Sequence, residues 1–336
     1  MNASASITTG NSRYDVAASN LRVTLTCLPG VGVARIRVPS DLSFSASVGD
    51  DALVSLSHDN IDNQVLTGSI RSIQYRFHTI EITIADDGAL LNQFRPATTY
   101  EALSADAIVQ SLAGDAGVDV SRSDSGPDLP YYTAHQGRTA GEHIAFLGAL
   151  AGCIASFDGE GALAFFTVPT GTPEKALLYG RELIEYNASL HPVPEAQFVV
   201  AGTGPAGSVS APDVLIPSFD RLPGNAPAAG TSARWKPTSA LRIPAAASQA
   251  NDAINQLAGM YTQRIDAVCF MQSDLRPGAV IEVQEVPGAA SGGPWLLTNV
   301  EHVFDGQRGA WTHFSGISTE GGGLLGSLLG LAGGLF

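Results

Sequence analysis

YYTAHQGRTAGEHIAFLGALAGCIASFDGEGALAFF, residues Tyr131 to Phe166, reads as one compact unit: a polar lead-in, a helix and a β-hairpin. Thr139 stands three residues before Glu142, so hydroxyl and carboxylate can each satisfy the other's orphan backbone amide at a helix start. Ile144, Phe146, Leu147, Leu150 and Ala151 recur at three- and four-residue intervals, an apolar stripe that predicts a helix closed by Gly152. Ile154 and Phe157, then Leu163 and Phe165, bracket Asp158-Gly159-Glu160-Gly161, a turn whose glycines can take the positive φ of a tight hairpin. Nothing in the stretch gathers side chains as a catalytic pocket would.

Working outward, the N-terminal side is strand-like. Residues 1–19 are small and polar and are expected to be an arm that orders on assembly. Leu21, Val23, Leu25 and Cys27, then Val33, Ile36 and Val38, alternate about the turn signal Pro29-Gly30. Further strands at Leu53–Leu56, Val65–Ile70 and Ile80–Ile84 make residues 20–88 a small antiparallel barrel or sandwich. Residues 89–168 change period: Leu90, Leu91 and Phe94 open them, and Ala105–Ala113 is predicted helical with Ile108, Val109 and Leu112 on one face. Ser121–Pro130 has the composition of a linker.

Residues 169–318 return to strands, at Leu183–Tyr186, Gln197–Val200, Ala267–Met271, Val280–Val286, Trp295–Val300 and Trp311–Gly316. A long Pro/Gly/Ala loop is expected over 203–247, and a helix over 248–264 with Ala253, Ile254, Leu257, Met260 and Tyr261 on one side. The fold class is therefore mainly β with an α/β insert: two antiparallel β-barrels flanking a smaller α/β domain.

Composition narrows the function. A charged fraction of 15% against a typical ~25% suits a β-rich protein that buries much of its surface in partners. The net charge of −14, with Lys and Arg scattered, argues against specific nucleic-acid binding. Cys27, Cys153 and Cys269 are far apart and lack metal or redox spacing, so they read as small buried hydrophobes. The N-terminus has no basic region followed by an apolar core, hence no signal peptide is expected, and folding in a reducing cytosol follows.

Motifs that tempt a chemical reading fail on context. Gly202-Thr203-Gly204-Pro205-Ala206-Gly207 matches a dinucleotide fingerprint, yet Pro212 and Pro217 follow where the required helix would run. His143 follows Glu142 without a second histidine four residues on, so it reads as a helix-surface or interface residue, and zinc-protease chemistry is unsupported. Asp86, Asp87, Asp158 and Glu160 sit in turns, where carboxylates need no catalytic explanation. No nucleophile elbow occurs. No catalytic, cofactor or metal-binding residue is expected. A secreted carbohydrate-binding or carbohydrate-active β-protein is the alternative, but Trp235, Trp295 and Trp311 are too few and scattered to form a sugar platform.

The order of an aromatic, a short polar run, Gly137-Arg138-Thr139-Ala140, an apolar helix, Asp158-Gly159-Glu160-Gly161 and an apolar strand resembles the baseplate hub proteins of contractile tails. That family includes the phage late-control D proteins and the hub region of type VI secretion spike proteins. Upstream, Thr99-Tyr100-Glu101-Ala102-Leu103-Ser104-Ala105-Asp106-Ala107-Ile108-Val109 is similar to the family's helix leading to a Gly-Val pair, here Gly117-Val118. Downstream, Leu275-Arg276-Pro277-Gly278, Trp295-Leu296-Leu297 and Val300-Glu301-His302 are similar to its closing barrel. The resemblance covers roughly residues 20–317. It implies two tube-like barrels per chain and a homotrimeric ring that adapts a hexameric tail tube to a trimeric spike. The implied partners are the tail tube protein, the spike and other baseplate proteins, in a phage virion or tail-like particle.

Residues 319–336 differ from everything before them. Gly322, Gly326, Gly330 and Gly334 recur every four residues among Leu324, Leu325, Leu328, Leu329 and Phe336. On a helix they would line one narrow face. The segment is short of the ~20 residues a bilayer span needs, and so much glycine disfavours a lone helix in water. It therefore needs a partner: its own copies, another protein or a membrane. Since no spike-like repeat or lysozyme-like stretch is seen after Ile317, a separate spike protein is expected, with Gly322, Leu324, Gly326, Leu328, Gly330, Gly334 and Phe336 as candidate spike or lumen contacts.

Overall fold

The computed structural model describes residues 3–10, 12–16, 20–40, 44–58, 61–169, 173–192, 196–202, 222–223, 232–286 and 293–319. Seven strands come first: β1 (Ala3–Thr9), β2 (Ser12–Val16), β3 (Asn20–Thr26), β4 (Val33–Pro39), β5 (Asp51–His58), β6 (Ile61–Tyr75) and β7 (Thr79–Ala85). The insert follows as α1 (Gly88–Gln93), β8 (Thr98–Ser104), α2 (Ala105–Asp115), β9 (Val120–Ser123), β10 (Asp128–Ala134), α3 (Ala140–Ala151), β11 (Cys153–Phe157) and β12 (Leu163–Thr167). The remainder is β13 (Lys175–Leu178), β14 (Leu183–Leu190), β15 (Ala196–Gly202), β16 (Leu222–Pro223), β17 (Ser232–Thr238), α4 (Pro244–Met260), β18 (Gln263–Phe270), β19 (Val280–Gln284), β20 (Pro294–Asp305) and β21 (Gly309–Ser318).

The fold is mainly β, with an α/β insert, as the residue pattern predicts. The two expected barrels are halves of one 13-stranded sheet, ordered β14-β18-β21-β20-β3-β4-β7-β6-β5-β1-β2, with β19 and β13 added beside β20. The halves join where β20 pairs antiparallel with β3, from Asn299 opposite Thr26 to Asp305 opposite Asn20. Among the described residues no strand pairing closes either half. Alternation explains the layering: Leu21, Val23 and Leu25 on β3, and Ala34, Ile36 and Val38 on β4, point to a core with Val54, Ile70 and Ile84. Ile265, Cys269, Trp295, Val300 and Phe314 build the second core.

The insert has its own core, in which Ile108, Leu112, Leu129, Ile144, Leu147 and Phe165 are fully or almost fully buried. Its capping box is formed: Glu142 N–H donates to Thr139 Oγ1 at 3.2 Å, and Thr139 N–H donates to Glu142 Oε2 at 2.8 Å. Gly152 ends α3 at φ +70°. In the following turn Gly161, at φ +93°, takes the positive φ; Asp158 Oδ1 accepts from Glu160 N–H at 3.0 Å and Ala162 N–H at 2.9 Å.

Several expectations are corrected. Ala3–Thr9 and Ser12–Val16, expected within an arm, are the antiparallel pair β1–β2, in which β1 also pairs with β5 and Ala5 and Ile7 are buried. The helix predicted over Ala105–Ala113 is α2, whereas the first part of the stretch likened to the family's helix, Thr98–Ser104, is β8, held by pairing with β10. Ser121–Pro130 contributes to β9 and β10 instead of forming a linker. Helix 248–264 lies at 244–260, because Pro244 occupies its first turn and Gln263 already belongs to β18. The long loop expected over 203–247 contains β17, which pairs parallel with β15. Ala246, Ala247 and Ala250 of α4 join the insert's core, and Asn251 Oδ1 accepts from Val200 N–H of β15 at 3.0 Å, so α4 extends the insert.

Candidate interaction surface

The register of the large sheet places one set of side chains on a single face across both halves. One row runs Phe270, Trp311, Val303, Arg22, Arg35, Thr83 and Ser72 over β18, β21, β20, β3, β4, β7 and β6. A neighbouring row runs Glu185, Val268, His313, Glu301 and Thr24. Glu301 bridges the two halves: its Oε1 lies 3.2 Å from Arg22 Nη1 and accepts from Thr24 Oγ1 at 3.4 Å. On the N-terminal half, Arg37 Nε donates to Glu81 Oε1 at 2.9 Å and Arg76 Nη2 to Glu81 Oε2 at 2.7 Å. Hydrogen bonding from Arg37 holds the Glu81 carboxyl below its ordinary value.

Toward β14 the face turns apolar. A hollow of about 720 Å³ is lined by Ile184, Val268, Phe270, Phe304 and Trp311 among others, and Ile184 and Phe270 are exposed. A second hollow of about 670 Å³ adjoins it, with Tyr179, Tyr186, Asn187, Asp266 and Ser315 in its lining. Among the described residues β14 has β18 as its one strand partner, β2 has β1 and β13 has β19, so the sheet presents three open edges, two of them at the ends of its main strand order. Open edges and an amphipathic face suit protein contacts.

Among the described residues, those singled out by sequence are not gathered into a reactive site. Gly322, Leu324, Gly326, Leu328, Gly330, Gly334 and Phe336 lie outside the described residues. Gly202 ends β15, and the rest of the glycine motif also lies outside them. Trp295 is buried in the second core, so it cannot serve as a sugar platform. Cys153 and Cys269 are buried and Cys27 half-buried; burial pushes their thiols up, to about 11, 12 and 12 respectively. Among the described residues, no group of three His, Cys, Asp or Glu side chains is placed to hold a metal, and no helix is long and apolar enough to cross a membrane.

His143, expected on a helix surface or interface, is buried under the β10–α3 turn. Its Nε2–H donates to the His135 carbonyl at 3.1 Å, which leaves Nδ1 to accept from the Tyr132 hydroxyl at 2.7 Å. Burial depresses its pKa, so the ring is neutral and structural. Two carboxylates read as simple turn residues differ sharply: Asp158 organises its own turn, whereas Asp86 is buried and ties the loop before β4, through Gly32, to the start of α1 at Gly88. A Gly32-to-Asp86 contact spanning that sequence distance leaves no local signal.

The fold that presents this face is that of phage tail proteins. A tail protein from Neisseria meningitidis superposes with a TM-score of 0.70 at 12% identity, over 95% of this chain and 97% of that one. The 43 kDa tail protein of prophage MuSo2 from Shewanella oneidensis gives 0.68 at 13% identity, over 95% and 99%. An E. coli component of the type VI secretion system, itself structurally similar to the T4 tail proteins gp27 and gp5, gives 0.61 at 14% identity, over 93% and 76%. No family model matches the sequence, and no curated protein matches it.

Proposed function

We propose that this chain is a structural protein of a contractile tail or injection particle and acts as its baseplate hub. The observation that carries the reading is the single sheet running unbroken through both halves, with the insert at one side and an open edge at each end. Copies joined through such edges and through the apolar hollow beside β14 would form a closed ring, the arrangement that a repeated head-to-tail contact produces when its rotation closes. In this reading three copies present six sheet halves to a hexameric tail tube and threefold symmetry to a separate spike. The protein binds the tube, the spike and other baseplate proteins, and its work is mechanical, without turnover. Residues 320–336, with their glycine and leucine repeat, supply the spike or lumen contact.

Light scattering on the purified chain, followed by negative-stain imaging with tube and spike proteins added, tests the ring. A trimer with a central channel is expected. A monomer that persists with both partners present overturns the hub. Deleting residues 320–336 tests the tail separately: unchanged spike recruitment and particle assembly would sink that contact.

A further inference from the structure

Among the described residues the most exposed large apolar side chain is Phe77, at 89%, and Tyr75 two residues before it is 70% exposed. Both stand at the β6–β7 turn, whose backbone is held in place. Arg76 N–H donates to the Thr79 carbonyl at 2.8 Å. Ser40 donates twice, from its N–H to the His78 carbonyl at 3.1 Å and from its Oγ to the Phe77 carbonyl at 3.2 Å. The Phe77 ring meets the His78 ring edge-on at 4.5 Å. β5 pairs with β6 from Ile61 to Ser69, and β7 takes Ser72 to Tyr75, so among the described residues the last part of β6 has no strand on its outer side and the tip overhangs the sheet. A fixed turn that holds two aromatic rings out in water is unfavourable for a lone chain, and rings so presented are common anchors of protein contacts.

The hollow beside β14 has the complementary shape. Its volume of about 720 Å³ has room for both rings, and Ile184, Phe270 and Trp311 give it an apolar wall. Charge agrees with shape. The described lining sets Glu185 and Asp305 against Arg308, whereas at the tip Arg37 and Arg76 share the single carboxylate of Glu81 and leave a positive excess. Placement agrees too. The register row Asp305, Asn20, Arg37, Glu81, Gln74 runs from the β20–β21 turn, which lines the hollow, to the residue before Tyr75. Tip and hollow are therefore at the same end of the sheet, four strand spacings or about 19 Å apart along it, and toward opposite sides. A knob that enters a hollow at its own level joins copies head to tail with little rise, which favours a ring over a filament. We propose that Tyr75 and Phe77 of one copy fill the hollow beside β14 of the next copy. This rests on the ring of copies proposed above and assigns the contact that closes it.

Light scattering over a concentration series compares the full chain with the double variant Tyr75→Ser, Phe77→Ser. Both side chains are exposed, so the variant is expected to keep the wild-type melting temperature while its self-association weakens at least about tenfold. Cross-linking reads the contact directly. A chain carrying Phe77→Cys and one carrying Ile184→Cys are mixed dilute, concentrated and treated with a short bismaleimide, with the unsubstituted chain as the blank for Cys27, Cys153 and Cys269. An adduct holding one chain of each kind is expected. Ile61→Cys in place of Phe77→Cys should give none, since Ile61 is exposed at the other end of β6. A trimeric wild type whose association survives the double variant, or whose adduct forms as readily from Ile61→Cys, overturns the knob and leaves the ring standing. A wild type that stays monomeric with tube and spike proteins added, and forms no adduct, removes the ring as well.

Discussion

Asp86 and His302 are buried ionisable groups that oppose each other in pH. Asp86 accepts from Gly32 N–H at 2.8 Å and Gly88 N–H at 3.0 Å, yet burial still pushes its carboxyl up to about 7 from 3.8. A folded pKa above the unfolded one means that the group's favourable contribution is full below about 4 and is lost as pH rises through about 7. Three units correspond to about 4 kcal/mol at most. Asp86→Asn removes the titration but turns an amide toward a backbone donor, so it is destabilising at pH 4. The variant is expected to gain on the wild type as pH rises to 8, by several kcal/mol in urea unfolding. A pH-independent difference would refute the ionisation. His302 acts in the other direction. Its Nε2–H donates to the Leu275 carbonyl at 3.1 Å, its Nδ1 accepts from the Thr312 hydroxyl at 3.0 Å, and burial pushes its pKa down to about 4 from 6.5. Its contribution is full above 6.5 and is lost as pH falls through about 4. His302→Gln is expected to lose about 2 kcal/mol at pH 7 through imperfect hydrogen bonding. It should also flatten the acid limb of the wild-type melting curve; an unchanged acid limb would place the acid sensitivity elsewhere.

At the scale of elements, the helix caps and strand faces were legible because their causes are local. Thr139, Glu142 and Gly152 are within one helix length of each other, and Thr139→Ala is expected to lose about 1 kcal/mol on thermal unfolding while Thr139→Ser loses little. Equal losses in both would deny the cap a role. Even the missed hairpin β1–β2 had a signal, since Ala3, Ala5, Ile7 and Thr9 alternate with polar residues; its small side chains masked the period. The pairing of β3 with β20 had none, because partners so far apart in sequence share no local pattern. The same is true of Gly68, whose added Cβ would meet the Ala85 carbonyl oxygen at 1.9 Å. That oxygen belongs to backbone where β6 crosses the end of β7, so neither side can yield cheaply. Gly68→Ala is therefore expected to lower stability by about 2–4 kcal/mol. Denaturant unfolding at wild-type midpoint would show instead that the crossing relaxes. The burial of His143 is illegible for a related reason: its hydrogen-bond partner Tyr132 comes from β10, outside the helix, and the lack of a second histidine four residues on says nothing of what covers the ring.

At the scale of the molecule, an open sheet is a problem that a monomer must manage. Edge strands offer unpaired backbone groups, and soluble proteins usually blunt them with charge, proline or bulges. Here β14 instead exposes Ile184 at 42% and Leu190 at 55%, and the apolar hollow with Phe270 and Trp311 lies beside it. Both exposed side chains lie outside the second core, so replacing them removes no buried packing. If copies associate through this edge, Ile184→Lys with Leu190→Lys should leave the melting temperature within about 2 °C of wild type, since surface changes seldom exceed 0.5 kcal/mol. The same pair should abolish the trimer in light scattering, because two desolvated charges at a contact are strongly unfavourable. A trimer that survives the double substitution would move the contact to the opposite edge at β2 or to the polar face around Glu301, and the ring would have to be rebuilt around one of those surfaces.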